Sequence, residues 1–192
     1  MHVFLQSERM VLRRFTEADV DLLLELDSDP EVMRLVNGGR PTPREVIQND
    51  LLPAYLQYYE RSAGYGFWVA IESYTGEFLG WFHFRPPVGS PPDEAELGYR
   101  LRQCAWGNGY ATEGSRALIR KGFAELGVQR VVASTAAGNL ASRRVMEKVG
   151  MTLVRTFYQA WPDLVSDTEE PEQEVVEYQL LRATWVQQAA AR

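Results

Sequence analysis

The chain has 192 residues, 45% hydrophobic and 24% charged, enough to bury the core of one globular domain, and a single domain over 1–192 is expected. With 20 Lys and Arg against 26 Asp and Glu, the formal charge of −6 has the wrong sign for wrapping nucleic acid or coating an anionic membrane. One cysteine, Cys104, and two histidines, His2 and His83, are too few and too scattered for a disulfide framework or a zinc site, so no metal is expected.

In chain order, residues 10–15 read as a strand, and Thr16 with Asp19 resembles a capping box opening a helix with Leu22, Leu23 and Leu26 on its apolar side. Asp29-Pro30 and Thr42-Pro43 each set a capping side chain before a proline at the first helical position, and Glu45 completes Thr-x-x-Glu. Helices are predicted near 30–36 and 43–61, with a kink or break at Pro53. Residues 66–72 and 77–85 are β-branched and aromatic runs around a turn at 73–76, a hairpin whose Phe67, Trp68, Trp81, Phe82 and Phe84 read as sheet core rather than a ligand cage. After a proline-rich loop, residues 94–102 alternate Ala95, Leu97, Tyr99 and Leu101 with Glu94, Glu96, Gly98 and Arg100, a strand with one apolar face. A helix to about Leu126 follows and stops at Gly127; then come a strand at 129–135, a helix from Asn139 to Lys148, and strands at 151–159 and 173–182. Helices, an antiparallel hairpin and strand, then strand-helix-strand-helix-strand imply a mixed sheet covered by helices. No basic segment followed by an apolar run opens the chain and no stretch reaches ~20 apolar residues, so a cytoplasmic location is expected.

The informative stretch is Trp106-Gly107-Asn108-Gly109-Tyr110-Ala111-Thr112, which joins a strand to a helix. The first amides of a helix lack an intrahelical acceptor and the dipole adds partial positive charge, so such a turn can hold a diphosphate even in an acidic protein. With Gly114 third, the spacing is Gly-x-Gly-x4-Gly, which is neither the dinucleotide fingerprint nor a Walker loop. An ordinary tight turn with left-handed glycines is the competing reading of the loop taken alone.

SERMVLRRFTEADVDLLLEL, ELGYRL, WGNGYATEGSRALIRKGFAELGVQRV and GNLASRRVMEKVGM occur in this order and nearly span the chain, and together they resemble the GNAT superfamily of acetyl-CoA-dependent N-acetyltransferases, within it the RimJ/RimL-like branch. The resemblance implies an α/β (α+β) fold with a mixed, mostly antiparallel seven-stranded sheet flanked by helices. It implies acetyl-CoA as cosubstrate, held by the main chain of Trp106, Gly107, Asn108, Gly109, Tyr110, Ala111 and Thr112, with the pantetheine arm along Leu97, Gly98 and Tyr99. The family signature Gln/Arg-x-x-Gly-x-Gly/Ala falls on Trp106, Gly109 and Ala111, so tryptophan replaces the polar first residue.

Acetyl transfer from a thioester needs a deprotonated amine, an oriented carbonyl, donors for the oxyanion and stabilisation of the departing thiolate. By resemblance Glu96 is the base or amine anchor, with Glu94 its rival on the same face, and solvated carboxylates the bland reading of both. Asn139 matches an Asn that bonds the pantetheine, and it also reads as a helix cap; Ser142 can bond or protonate the leaving sulfur, or serve only as a cap. A tyrosine acid common in the family is replaced by Met146. A covalent route through Cys104 lacks an identifiable partner, and direct attack in a ternary complex is preferred. The acidic run from Asp163 to Glu177 reads as a solvated loop or as a lure for a cationic acceptor. The expected acceptor is a primary amine, on a small molecule or a protein N-terminus, and the expected assembly is a monomer or homodimer; a catalytically silent acyl-CoA-binding sensor or scaffold is the alternative.

Overall fold

Alternating and capping patterns become one mixed sheet with helices on both faces. The structure is a computed structural model, and residues 2–62, 64–160 and 172–190 are described. The chain runs β1 (Val3–Gln6), β2 (Met10–Arg14), α1 (Val20–Asp27), α2 (Pro30–Asn37), α3 (Arg44–Val46) and α4 (Leu52–Arg61). It continues through β3 (Gly66–Glu72), β4 (Phe78–Arg85), β5 (Glu94–Leu101), α5 (Tyr110–Glu125), β6 (Arg130–Ala136), α6 (Leu140–Lys148), β7 (Thr152–Ala160), β8 (Glu172–Leu181) and α7 (Arg182–Ala190). The described sheet has eight strands in the order β1-β2-β3-β4-β5-β6-β8-β7, not seven: the four-residue β1 is the extra one, paired at the edge with β2 across a turn bridged by the Ser7 hydroxyl and Met10. The terminal segment also differs from expectation, because α7 follows β8 directly and lays Trp185 against Phe123.

Local capping chemistry accounts for three starts: the turn before α1 at Thr16, α2 at Asp29 and α6 at Asn139. The Asp19 carboxylate accepts from the Thr16 N–H at 2.7 Å and is gripped by Arg13, while the Asp29 carboxylate accepts from the Glu31 N–H at 2.9 Å at the start of α2. Thr42 departs from its expected role. Its side chain is buried and reaches Asp27 instead of capping α3, whose N-terminal residue follows Pro43 with no side-chain cap. The perturbation expected at Pro53 takes the form of a π-helical turn, Ile47–Leu51, just before α4; a proline ring crowds the carbonyl four residues back, and widening the preceding turn relieves that contact.

Two cores sandwich the sheet. Phe15, Leu23, Leu26, Ile47, Leu52, Tyr55 and Trp81 form one beneath α1 to α4, while Phe82, Phe84, Leu97, Leu118, Phe123 and Met146 belong to the other, beneath α5 and α6. The aromatic runs are therefore core, as expected of them. Helix α5 presses on β4 through two glycines: a Cβ on Gly114 would lie 2.4 Å from the Phe82 ring, and one on Gly122 would lie 2.5 Å from Phe84. Valine at Gly114 is expected to cost about 1–3 kcal/mol by forcing α5 off its seat, read as a lowered urea midpoint at constant slope.

All sheet neighbours are antiparallel except β5 and β6. That parallel contact holds only from Glu94 to Glu96 against Arg130 to Val132. Beyond it the strands part: Leu97 to Leu101 pairs with β4 alone and Ala133 to Ala136 with β8 alone. Two main-chain edges thus face an opening in the middle of the sheet, where an extended chain can pair as an added strand.

Candidate active site

The opening is bounded at one end by the glycine turn. Gly107 and Gly109 have φ of 74° and 85°, so both sit in the left-handed region that glycine enters without penalty, and the tight-turn reading is correct as far as it goes. It does not account for the amides. Among the described residues no protein acceptor faces the N–H groups of residues 107 to 112, although residues 106 to 109 are exposed and Gly109 caps the sixteen-residue α5. A Cβ at Gly107 would meet nothing within 4 Å, and one at Gly109 only the tip of Arg9 at 3.4 Å, so the turn is not packed against protein. Six successive donors at the positive end of a helix can form a cradle for an anion.

Trp106, where the family signature has a polar residue, anchors this cradle. Its indole N–H donates to the Leu101 carbonyl at 2.8 Å, fixing the turn to the end of β5, while the Asn108 amide donates to the Cys104 carbonyl at 3.0 Å. Cys104 is a free, exposed cysteine.

Arg9, from the β1–β2 turn, was not expected here. It donates to the Asn108 carbonyl at 3.1 Å, pairs with Glu113 at 2.7 Å and lies 4.5 Å from the centre of the Tyr110 ring. Burial opposes ionisation of Glu113, but hydrogen bonds from the Arg9 N–H, the Ser7 hydroxyl and the Arg9 guanidinium outweigh it and hold the carboxyl below its usual range. Residues 104 positions apart in sequence thus brace the first turn of α5.

Along β5 the side chains divide as alternation requires. Glu96, Gly98 and Arg100 face α1 to α4, whereas Leu97 and Tyr99 face α5 and α6. The two candidate carboxylates separate. Glu94 is tied to Arg130 at 2.8 Å where β5 and β6 are still paired, and Arg130 reaches on to Gln179 and Glu177. Glu96 stands at the point of parting, with Oε2 on Arg85 at 2.7 Å and its side chain 28% exposed.

His83 lies beside it and was missed as a site residue. Its Nε2 is 3.6 Å from Glu96 Oε2 but is buried without a hydrogen-bond partner, and its ring covers Gly98 so closely that a Cβ there would come within 2.5 Å. Burial, reinforced by the Arg85 and Arg100 charges, drives the imidazole down to about 3, so it is neutral and the Glu96 contact is not an ion pair. Arg100 in turn pairs at 2.6 Å with buried Asp27 and covers Trp81 at 5.2 Å. On this face the carboxylates of Asp27 and Glu96 are each matched by an arginine.

Across the opening, Asn139 caps α6 by accepting from the Ser142 N–H at 3.1 Å, and the Ser142 hydroxyl lies 2.9 Å from that of Tyr99. Met146, one turn further on, is core. Of the acidic run, residues 163–170 lie outside the described residues; Glu172 and Glu174 are exposed on β8, and Glu177 pairs with Arg155.

Residues 9–152 match the family described as the acetyltransferase (GNAT) domain. The chain belongs to the GNAT acetyltransferases. This GNAT chain is 36% identical over 190 residues, 95% of its length and 77% of the relative's, to the FsC-acetyl coenzyme A-N(2)-transacetylase of Aspergillus fumigatus. It superposes with a TM-score of 0.72 on a GNAT acetyltransferase from Bacillus anthracis, at 24% identity and over 93% and 98% of the two chains. The same score, at 18% identity over 94% and 98%, relates it to RimL, the ribosomal L7/L12 alpha-N-protein acetyltransferase, solved with coenzyme A. The family makes this protein an acyltransferase and fixes its fold. Among the described residues no helix is long and apolar enough to cross a membrane.

Proposed function

We infer that this protein moves the acetyl group of acetyl-CoA to a primary amine of a small molecule by direct attack in a ternary complex. The observation that carries the reading is the run of unpartnered N–H groups from 107 to 112 opening onto the edge that β5 exposes from Leu97 onward. The amides grip the diphosphate, the β5 edge lines up the pantetheine, and a β5 N–H polarises the thioester carbonyl. Glu96, on the opposite face at the parting point, accepts the amine's proton directly or through water. Its Oε2 is taken by Arg85, and Oε1 has no partner among the described residues.

The N(2)-transacetylase relative at 36% identity supports a small-molecule amine. Likeness to RimL at 18% identity supports the fold, leaving the RimJ/RimL-like motifs as the support for a protein N-terminus.

Incubation with acetyl-CoA and a panel of small amines and N-terminal peptides, following thiol release, tests the reading. Acetylation of peptides but no small amine would move the acceptor to protein; tight coenzyme binding without release above hydrolysis would leave the silent sensor. Glu96→Gln is expected to lower kcat about a hundredfold at unchanged coenzyme affinity by calorimetry; a normal rate across pH removes Glu96 from the chemistry.

A further inference from the structure

We propose that Tyr99 and Ser142 form a hydrogen-bond relay that receives the leaving sulfur as a thiolate, with Tyr99 positioning Ser142. The inference rests on the coenzyme reading above. Tyr99 is the middle residue of the β5 stretch that pairs on one side only, and its side chain reaches α6 on the sheet face it shares with Leu97, where its hydroxyl lies 2.9 Å from Ser142 Oγ. Strands β5 and β6 are unpaired with each other at this level, so a thioester laid along β5 would pass beside the pair. Neighbouring α6 side chains are committed elsewhere: Arg143 bonds the Ala137 carbonyl and the Tyr178 hydroxyl, and Met146 is buried.

The chemistry selects donation without net proton transfer. Burial pushes the Tyr99 phenol up to about 12 against a weaker pull from Ser142, so giving its proton to a thiolate of ordinary pKa ~8.5 is unfavourable by about 3.5 powers of ten. A neutral phenol is instead a permanent donor. Either oxygen of the 2.9 Å contact can donate, and the Tyr99 hydroxyl also lies 3.4 Å from the Ser142 carbonyl; the relay takes the arrangement in which Tyr99 donates to Ser142 Oγ, which leaves the serine proton to point at sulfur, and each bond polarises the next. In the step itself, the amine nitrogen forms its bond to the acetyl carbon and loses a proton towards Glu96 or water. The carbon–sulfur bond breaks with its electron pair on sulfur, Ser142 donates to that charge, and solvent later protonates the thiolate.

The readout is the thiol of bound coenzyme A. Titrated by its ultraviolet thiolate absorption against a desulfo-coenzyme A blank, it is expected to rise by about one unit in Tyr99→Phe, with kcat about tenfold lower and KM for acetyl-CoA within about twofold. Ser142→Ala gives the same shift if Tyr99→Phe does not fold, Ser142→Thr restores it, and the double variant loses no more than the worse single because the two act as one unit. An unchanged thiol titration in Tyr99→Phe and Ser142→Ala overturns the relay, even if amines are acetylated. A thiol titration raised in the variants, with no amine acetylated by the unsubstituted protein, keeps the relay and overturns the acceptor reading instead.

Discussion

Gly109→Glu is expected to weaken coenzyme A binding by at least about a hundredfold, the effect of setting a carboxylate among donors arranged for a diphosphate. The position is sensitive twice over. Its φ of 85° strains any residue with a Cβ, and its nearest neighbour is Arg9, which a glutamate would pull away from the Asn108 carbonyl and Glu113. Gly109→Asn separates the two effects, because asparagine tolerates the left-handed region and brings no charge. Calorimetry on both variants decides: if glutamate binds coenzyme A as tightly as asparagine does, the amides are not the diphosphate site.

Acid should destabilise this protein from an unusually high pH. His83 is held at about 3 in the fold, against an ordinary value of 6.5, by burial and by Arg85 and Arg100. A group depressed in this way favours the folded state fully above 6.5, because there it is neutral whether folded or not. Below 6.5 the unfolded chain takes up the proton first, and stability falls by about 1.4 kcal/mol per pH unit, approaching about 5 kcal/mol near pH 3. His83→Phe, which keeps a flat ring over Gly98, should flatten that limb. Urea midpoints from pH 7 to 4 test this, and equal slopes for the two proteins would show that His83 does not carry the effect.

Most of the framework was legible because its signals are local. The alternation of residues 94–102 gives β5 and divides its faces, Asp29-Pro30 gives the start of α2, and the glycine turn before α5 is visible as a strand-to-helix junction. Strand β1 was not, since four residues at a sheet edge carry too few alternations to register, and α7 was hidden by an alanine-rich composition that looks like a tail. Thr42 shows a local rule losing to a distant partner: its motif fits a cap, but buried Asp27 takes its hydroxyl. The braces of the site are invisible for the same reason. Arg9 with Glu113, Arg100 with Asp27 and His83 over Gly98 join residues whose separation in sequence carries no periodic signal, and they exist only because the strand order brings them together.

The seam of three residue pairs between β5 and β6 divides the chain's own history as well as the sheet. Strands β1 to β5 are each laid beside the one just made, so this portion can assemble during synthesis before residue 130 emerges. Until then β5 is a raw border, the kind of edge on which nascent chains stick to one another. Glu94, Glu96 and Arg100, the charged residues of this strand, are of the kind that discourages such sticking while the border is still bare.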